Sequence, residues 1–194
     1  MAQISLKKRQ ENISRDNLIS IIVPCYNEEE SVALFYQELT KNDPFFKEKE
    51  IELELLYIDD GSKDGTVREV KKLIEQDSRV HIVSFSRNFG KEAAIFAGLA
   101  QACGDVVAVM DCDLQHPPQT LIEMYRLWQE GYEVIEGVKA DRGKEGFLHK
   151  ECAGFFYDIM SKATKVNMKD ASDFKMMDRK AVDSILSMPE RNMF

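Results

Sequence analysis

Nothing in this sequence is apolar for long enough to span a bilayer. The longest apolar runs, such as Val106 to Met110, are strand-sized, whereas a membrane helix needs about 20 residues. Met1 to Asn17 is a polar, charged leader without the apolar stretch of a signal peptide. Cysteine is sparse and scattered: Cys25, Cys103, Cys112 and Cys152 form no CxxC pair. That spacing supports neither a zinc cluster nor a disulfide framework, and it predicts a reducing, cytoplasmic setting. His81, His116 and His149 show no metal-ligand spacing either. Basic charge is short as well: 26 Lys and Arg against 34 Asp and Glu give a net charge of −8. The basic face of a nucleic-acid binder is thereby excluded. A nucleotide ligand is not, because a small phosphate site needs only a few local cations or a metal. There is no Walker A loop and no Rossmann glycine pattern, so ATPase and dehydrogenase readings lose their usual support.

What is present is the patterning of one α/β domain over residues 18–194. Of the 194 residues, 44% are hydrophobic, enough for a real core. Leu18 to Val23 is a continuous, β-branched apolar run, which is how a strand buried on both faces reads. Glu28 to Leu39 has helical composition with acids in its first turn, and Asp43-Pro44 breaks the chain. Leu53 to Ile58, Val80 to Phe85, Asp105 to Met110 and Val134 to Val138 read as further strands. Helices are predicted from Thr66 to about Gln76, Ala93 to Ala102, Gln119 to Glu130, Glu151 to Ala163 and Arg179 to Leu186. Strands alternating with helices specify a mostly parallel, open, Rossmann-like sheet flanked by helices. Right-handed crossovers bring the strands' C-terminal ends to one rim, where such sheets bind ligands. The chain stops at Pro189 to Phe194 without a completed element, which reads as a fragment cut before a further region.

The polar clusters follow strands and therefore converge. Asp111 and Asp113, two residues apart after a buried strand, are costly to place together unless a cation or hydrogen bonds offset their repulsion. Hard oxygen ligands of this kind suit Mg²⁺ or Mn²⁺ shared with substrate phosphates. The competing reading is a capped turn, with Asp111 closing the strand. A dehalogenase-type phosphatase would carry its nucleophilic Asp on the first strand with a small hydroxyl residue behind it; here the motif is on the fourth and Leu114-Gln115 follow. Asp60, in Asp59-Asp60-Gly61-Ser62, stands where a carboxylate can accept from a base imide or a ribose hydroxyl, while Asp64 and Thr66 read as helix caps. Arg87 and Lys91 follow the third strand and can meet a diphosphate, or pair with Glu92.

Five segments in order give the chain a family resemblance. They are Ile22 to Glu29, Tyr57 to Ser62, Ser86 to Glu92, Met110 to Pro118 and Ser172 to Lys175. Together they resemble the family 2 glycosyltransferases of GT-A fold, in the polyprenyl-phosphate branch with dolichol-phosphate mannose synthase and the bactoprenol glucosyltransferases. The resemblance implies a hexosyltransferase that uses a UDP- or GDP-sugar and a divalent cation, Mg²⁺ or Mn²⁺. Pro24, Tyr26, Glu28, Ile58 and Asp60 would hold the base and ribose; Lys91, Asp111, Cys112 and Asp113 would lie along the sugar diphosphate. Asp113 and Gln115, with Asp111, would bind the metal. Lys139 and Arg142 are candidates for the phosphate clamp, where the family usually has an arginine. Asp173 occupies the family's position for a base or an acceptor-orienting carboxylate, and Arg179 is a candidate for an acceptor phosphate or a plain surface cation. The implied acceptor is a polyprenyl phosphate at the inner face of the cell membrane; many members of the branch continue into membrane helices. A saccharide hydroxyl acceptor in cell-surface polysaccharide synthesis and a non-catalytic nucleotide-sugar binder are the alternatives.

Overall fold

The first strand is the centre of the molecule, and its sequence explains why. β1 (Leu18–Cys25) is buried along almost its whole length, and it pairs on both sides, with β2 (Glu52–Asp59) and β4 (Val106–Val109), both parallel. The computed structural model describes residues 17–137 and 174–188. In it a six-stranded sheet runs β3-β2-β1-β4-β6-β5, where β3 is Val80–Ser84, β5 is Val134–Glu136 and β6 is Lys175–Asp178. β6 is antiparallel to both of its neighbours.

Helices cover both faces. α1 (Val32–Thr40), α2 (Asp43–Glu48), α3 (Thr66–Gln76) and α5 (Thr120–Gln129) close one side. There Phe35, Phe46, Val70 and Met124 pack on Ile21, Val23, Leu55 and Ala108. α4 (Lys91–Gln101) and α6 (Arg179–Ser187) close the other, with Ile95, Leu99, Val182 and Ile185 against Ile22, Leu56 and Val107. Ile21 and Ile22 therefore point into different cores, which is the physical meaning of a strand without polar alternation. α4 lies close on β1: a Cβ at Gly98 would stand 2.4 Å from Ile22 Cγ2.

The structure corrects the sequence reading in three places. Asp43-Pro44 does not merely break the chain; it opens α2, since a proline in the first turn costs no hydrogen bond. α1 begins at Val32 rather than Glu28: Glu28 to Ser31 form a turn, with the Ser31 and Val32 amides donating to the Glu28 carbonyl at 3.0 and 3.1 Å. β6 carries no β-branched residue and runs directly into α6. Its strand character comes from the edges of β4 and β5, which its backbone bridges in register Val109↔Lys175 and Glu136↔Lys175.

Candidate active site

The C-terminal ends of β1, β2 and β4 open onto one pocket of about 290 Å³. β1 supplies Pro24 and Cys25, and the turn after it supplies Tyr26 and Glu28; Asp60 follows β2. Asn88 and Gly90 come from the loop after β3, Lys91 and Ala94 from the start of α4, and Asp111, Cys112 and Asp113 from the end of β4.

On the β1–β2 side the loops are clasped by hydrogen bonds. The Asn27 amide donates to Ser62 Oγ at 2.9 Å, and the Lys63 amide donates back to Asn27 Oδ1 at 2.9 Å. The Glu28 amide donates to Thr66 Oγ1 at 2.8 Å and the Gly65 amide to Glu29 Oε2 at 2.7 Å. Asp64 receives the Thr66 amide at 3.0 Å, the local cap expected of it. Asn27 accepts a left-handed φ of 56° to make this turn, a conformation that asparagine tolerates better than most residues. Asp59 is buried and structural, receiving the Ser62 amide at 3.0 Å and the Ser84 hydroxyl.

Asp60 is only 3% exposed. Its two oxygens take the amides of Phe89 and Gly90 at 2.7 and 2.8 Å, so the carboxylate sits against the N-terminal end of α4, where the helix dipole favours an anion. Buried charge is thus met by charge-assisted hydrogen bonds from the backbone. Gly61 makes this possible: its φ is +71°, and a Cβ there would stand 2.4 Å from the Arg87 carbonyl carbon. Only a glycine lets the two loops touch this closely.

The β4 side is built differently. Lys91, the first residue of α4, brackets Asp111 with its ammonium, 2.7 Å from Oδ1 and 2.9 Å from Oδ2. Of the alternatives open for Lys91, a diphosphate or a pair with Glu92, the local pair does not form among the described residues; Lys91 meets the carboxylate of Asp111. Asp113 is exposed and receives the Gln115 amide at 3.0 Å across a turn in which Leu114 has φ 58°. Between the two aspartates the chain dips: Cys112 is buried beside Cys25, whose thiol donates to the Val23 carbonyl at 3.3 Å and is pushed well up by its neighbour Cys112 and by burial. The two cysteines lie buried beneath the carboxylates, and the acidic groups at the rim are the oxygen donors of Asp111 and Asp113. Among the described residues no group of three or more His, Cys, Asp or Glu is gathered for a metal ion. Two part-exposed carboxylates, one of them paired with Lys91, fit a cation that takes its other ligands from phosphate and water, as Mg²⁺ and Mn²⁺ do.

Most of the residues singled out from sequence come together: Pro24, Tyr26, Glu28, Asp60, Lys91, Asp111, Cys112 and Asp113 all line the pocket. Ile58 does not. It is fully buried among Ile22, Leu56 and Val109 and supports the rim from below. Gln115 is exposed beside Asp113 rather than in the lining. Arg179 stands at the opposite rim, with Nε donating to the Gly104 carbonyl at 2.9 Å and Nη2 to the Ala102 carbonyl at 3.0 Å. It holds the entry to β4 and does not face the pocket. Lys139, Arg142 and Asp173 lie outside the described residues. Cys25 and Ala94 line the pocket without standing out in the sequence as site residues. For Ala94 a signal is available, since it lies one helical turn after Lys91 and shares its face.

The model for glycosyl transferase family 2 matches residues 20–186. The chain belongs to the family 2 glycosyltransferases. This family 2 glycosyltransferase is 38% identical over 177 residues to the prophage bactoprenol glucosyl transferase homolog of Escherichia coli (strain K12), covering 91% of this chain and 57% of that protein. It is 41% identical over 183 residues to the glycosyltransferase YkcC of Bacillus subtilis (strain 168), covering 94% of this chain and 56% of that one. The chain thus spans little more than half the length of these relatives. Its fold is that of solved GT-A glycosyltransferases. It resembles the mannosyltransferase of Pyrobaculum calidifontis in complex with GDP-Man and Mn²⁺ with a TM-score of 0.62 at 22% identity, over 86% of this chain and 46% of that one. For Staphylococcus aureus TarS 1-349 in complex with UDP-GlcNAc the TM-score is 0.60 at 22% identity, over 86% and 47%. No helix of the described residues is long and apolar enough to cross a membrane.

Proposed function

We infer that this glycosyltransferase moves a hexose, with inversion, from a UDP- or GDP-sugar to a polyprenyl phosphate at the cytoplasmic face of the cell membrane. The observation that carries this reading is one pocket in which a prebuilt, hydrogen-bonded half containing Asp60 faces an acidic half containing Asp111 and Asp113. The name of the Escherichia coli relative supports the acceptor class, since bactoprenol is a polyprenyl carrier and that protein is called a bactoprenol glucosyl transferase homolog.

In this reading the base lies between Tyr26 and the Asp60 loop, with Pro24 and Glu28 bounding the ribose. Tyr26 is 42% exposed, which leaves a ring available for stacking. Asp113 and Asp111, with Gln115 alongside, would hold a Mg²⁺ or Mn²⁺ ion; when bound, that ion offsets the charge that builds on the departing diphosphate. Lys91 supplies the positive charge on the other side, and Lys139 and Arg142 are the candidates for completing the phosphate clamp. A lipid phosphate is already an anion at neutral pH, so it needs orientation more than deprotonation. Asp173 is assigned that orienting task, or the role of general base for a hydroxyl acceptor. Phe174 precedes β6, whose first residue Lys175 pairs with Val109 at the end of β4.

The test is transfer of radiolabelled sugar from UDP-glucose, UDP-GlcNAc and GDP-mannose to a short-chain polyprenyl phosphate, with and without Mn²⁺. Product with the lipid phosphate, of β configuration from an α-linked donor, supports the reading. Turnover only with a free saccharide, or metal-independent turnover, overturns the acceptor or the metal assignment respectively.

A further inference from the structure

Lys91 is electrostatically misplaced. It is the first residue of the 11-residue helix α4, where the helix dipole disfavours a cation. The dipole's preferred anion is already there: Asp60 receives the amides of Phe89 and Gly90 just ahead of it. Lys91 reaches instead across the pocket to Asp111, at 2.7 and 2.9 Å. Both side chains keep substantial exposure, 41% and 29%, so the pair is of the weak, exchangeable kind. Asp113, two residues on, is left as the exposed carboxylate of the cluster.

Resting on the metal-site reading above, we propose that Lys91 is a placeholder cation: it occupies Asp111 until a donor diphosphate draws its ammonium away, so that the divalent ion enters together with the nucleotide and not before it. The exchange is balanced in charge. Before binding, the ammonium neutralises one carboxylate. With nucleotide bound, the same ammonium would face a diphosphate oxygen, leaving Asp111 and Asp113 as the residues that would hold the metal. No covalent bond is made or broken; the Lys91–Asp111 ion pair would give way to contacts of the ammonium with the diphosphate and of Asp111 with the cation. The positioning residue is Lys91, and its consequence is thermodynamic: metal and nucleotide affinities are coupled through a single side chain, and by linkage the coupling acts in both directions.

The chain is titrated with Mn²⁺ alone, followed by the electron paramagnetic resonance signal of the free ion, and again in the presence of UDP or GDP; metal-free nucleotide binding is measured by calorimetry. In Lys91→Met, Mn²⁺ alone binds about two- to fivefold more tightly than in the unsubstituted chain, as release of a weak exposed pair allows. Metal-free UDP or GDP binds about threefold or more weakly, so the coupling between the two ligands falls. Lys91→Arg, which keeps the charge at the same place, retains the original order. Arg87→Met is the control for a simple change of net charge. Arg87 lies outside the pocket lining, stacked with its guanidinium 4.7 Å from the Phe89 ring centroid, and its loss should leave Mn²⁺ binding unchanged. Lys91→Gln is run beside Lys91→Met, so misfolding of one variant leaves the comparison intact. If Mn²⁺ binds with nucleotide but its affinity alone is equal with and without Lys91, the placeholder is overturned and the metal site stands. The placeholder is also overturned if Arg87→Met tightens Mn²⁺ binding to the same extent. If Mn²⁺ binds under no condition, the metal-site reading itself falls.

Discussion

The two halves of the pocket are built from opposite materials. The β1–β2 half is a mesh of short-range hydrogen bonds in which backbone amides of residues 27, 28, 63, 65, 89 and 90 are all engaged by side chains of the facing loops. In the β4 half the described residues include an ion pair, Lys91 to Asp111, and a turn hydrogen bond from the Gln115 amide to Asp113. The first half is tied by directional hydrogen bonds; the second is tied by charge, through a pair that keeps part of its exposure. In the proposed function a donor pocket would use both: the base would gain from a rigid cradle, and the diphosphate, on which charge builds as it departs, from groups that respond.

The comparison breaks most visibly at Asp113. Asp113→Ala should lower sugar transfer by about 100-fold or more while leaving the melting temperature within about 2 °C, because the residue is exposed and outside the core. Initial rates and thermal melts of the same preparations check both halves of that statement. Gly61→Val should do the reverse. A left-handed φ of +71° and a Cβ 2.4 Å from backbone should cost about 3 kcal/mol of stability, read from urea unfolding, and nucleotide binding should fall with it.

Asp60→Asn keeps the shape and removes the charge, leaving one of the two amide donors in a buried site without a good acceptor. The expected loss is about 2 kcal/mol in stability, with nucleotide affinity reduced about tenfold by calorimetry. Equal stability of Asp60→Asn would sink the view that this half is preorganised by Asp60. The smallest effect concerns a charge network elsewhere. Hydrogen bonds from Arg79 hold the Asp77 carboxyl down at about 2, and Arg79 also grips Asp43 at 2.9 and 3.0 Å. A carboxylate depressed in the folded state adds stability above its unfolded value of about 4, and this is lost as pH falls from about 4 to about 2. Asp77→Asn should therefore cost about 1 kcal/mol at pH 7, allowing for partial exposure. That difference from the unsubstituted chain should vanish near pH 2 in denaturant titrations, and donor affinity at pH 7 should not move.

Much of this is legible in the sequence, and the reasons are local. Buried parallel strands are apolar on both faces, so Leu18 to Val23 and Val106 to Met110 identify themselves. The polar residues that interrupt them mark the ligand rim, and Asp60, Asp111 and Asp113 stand out on that ground. Ile58 misleads because a motif gives neighbours in sequence, whereas Ile58 is still inside β2 beneath the helices and Asp60 lies just past the end of that strand. Ile58 goes into the core and Asp60 to the pocket. β6 escapes notice because four residues without β-branching form a strand only when two free edges wait for them.

By itself, then, the amino-acid sequence determined the layered α/β architecture, the rim at which chemistry collects and the family to which the chain belongs. These follow from hydrophobic period and from short motifs, which are properties of neighbours along the chain. The tertiary structure decided which charges meet. Asp60 is 29 and 30 residues from the amides that neutralise it, and Lys91 is 20 residues from Asp111. Arg179 was turned to the far rim by the antiparallel run of β6. Coulombic and hydrogen-bonding partners are chosen by distance in space, and that distance exists only once the sheet has brought the loops together.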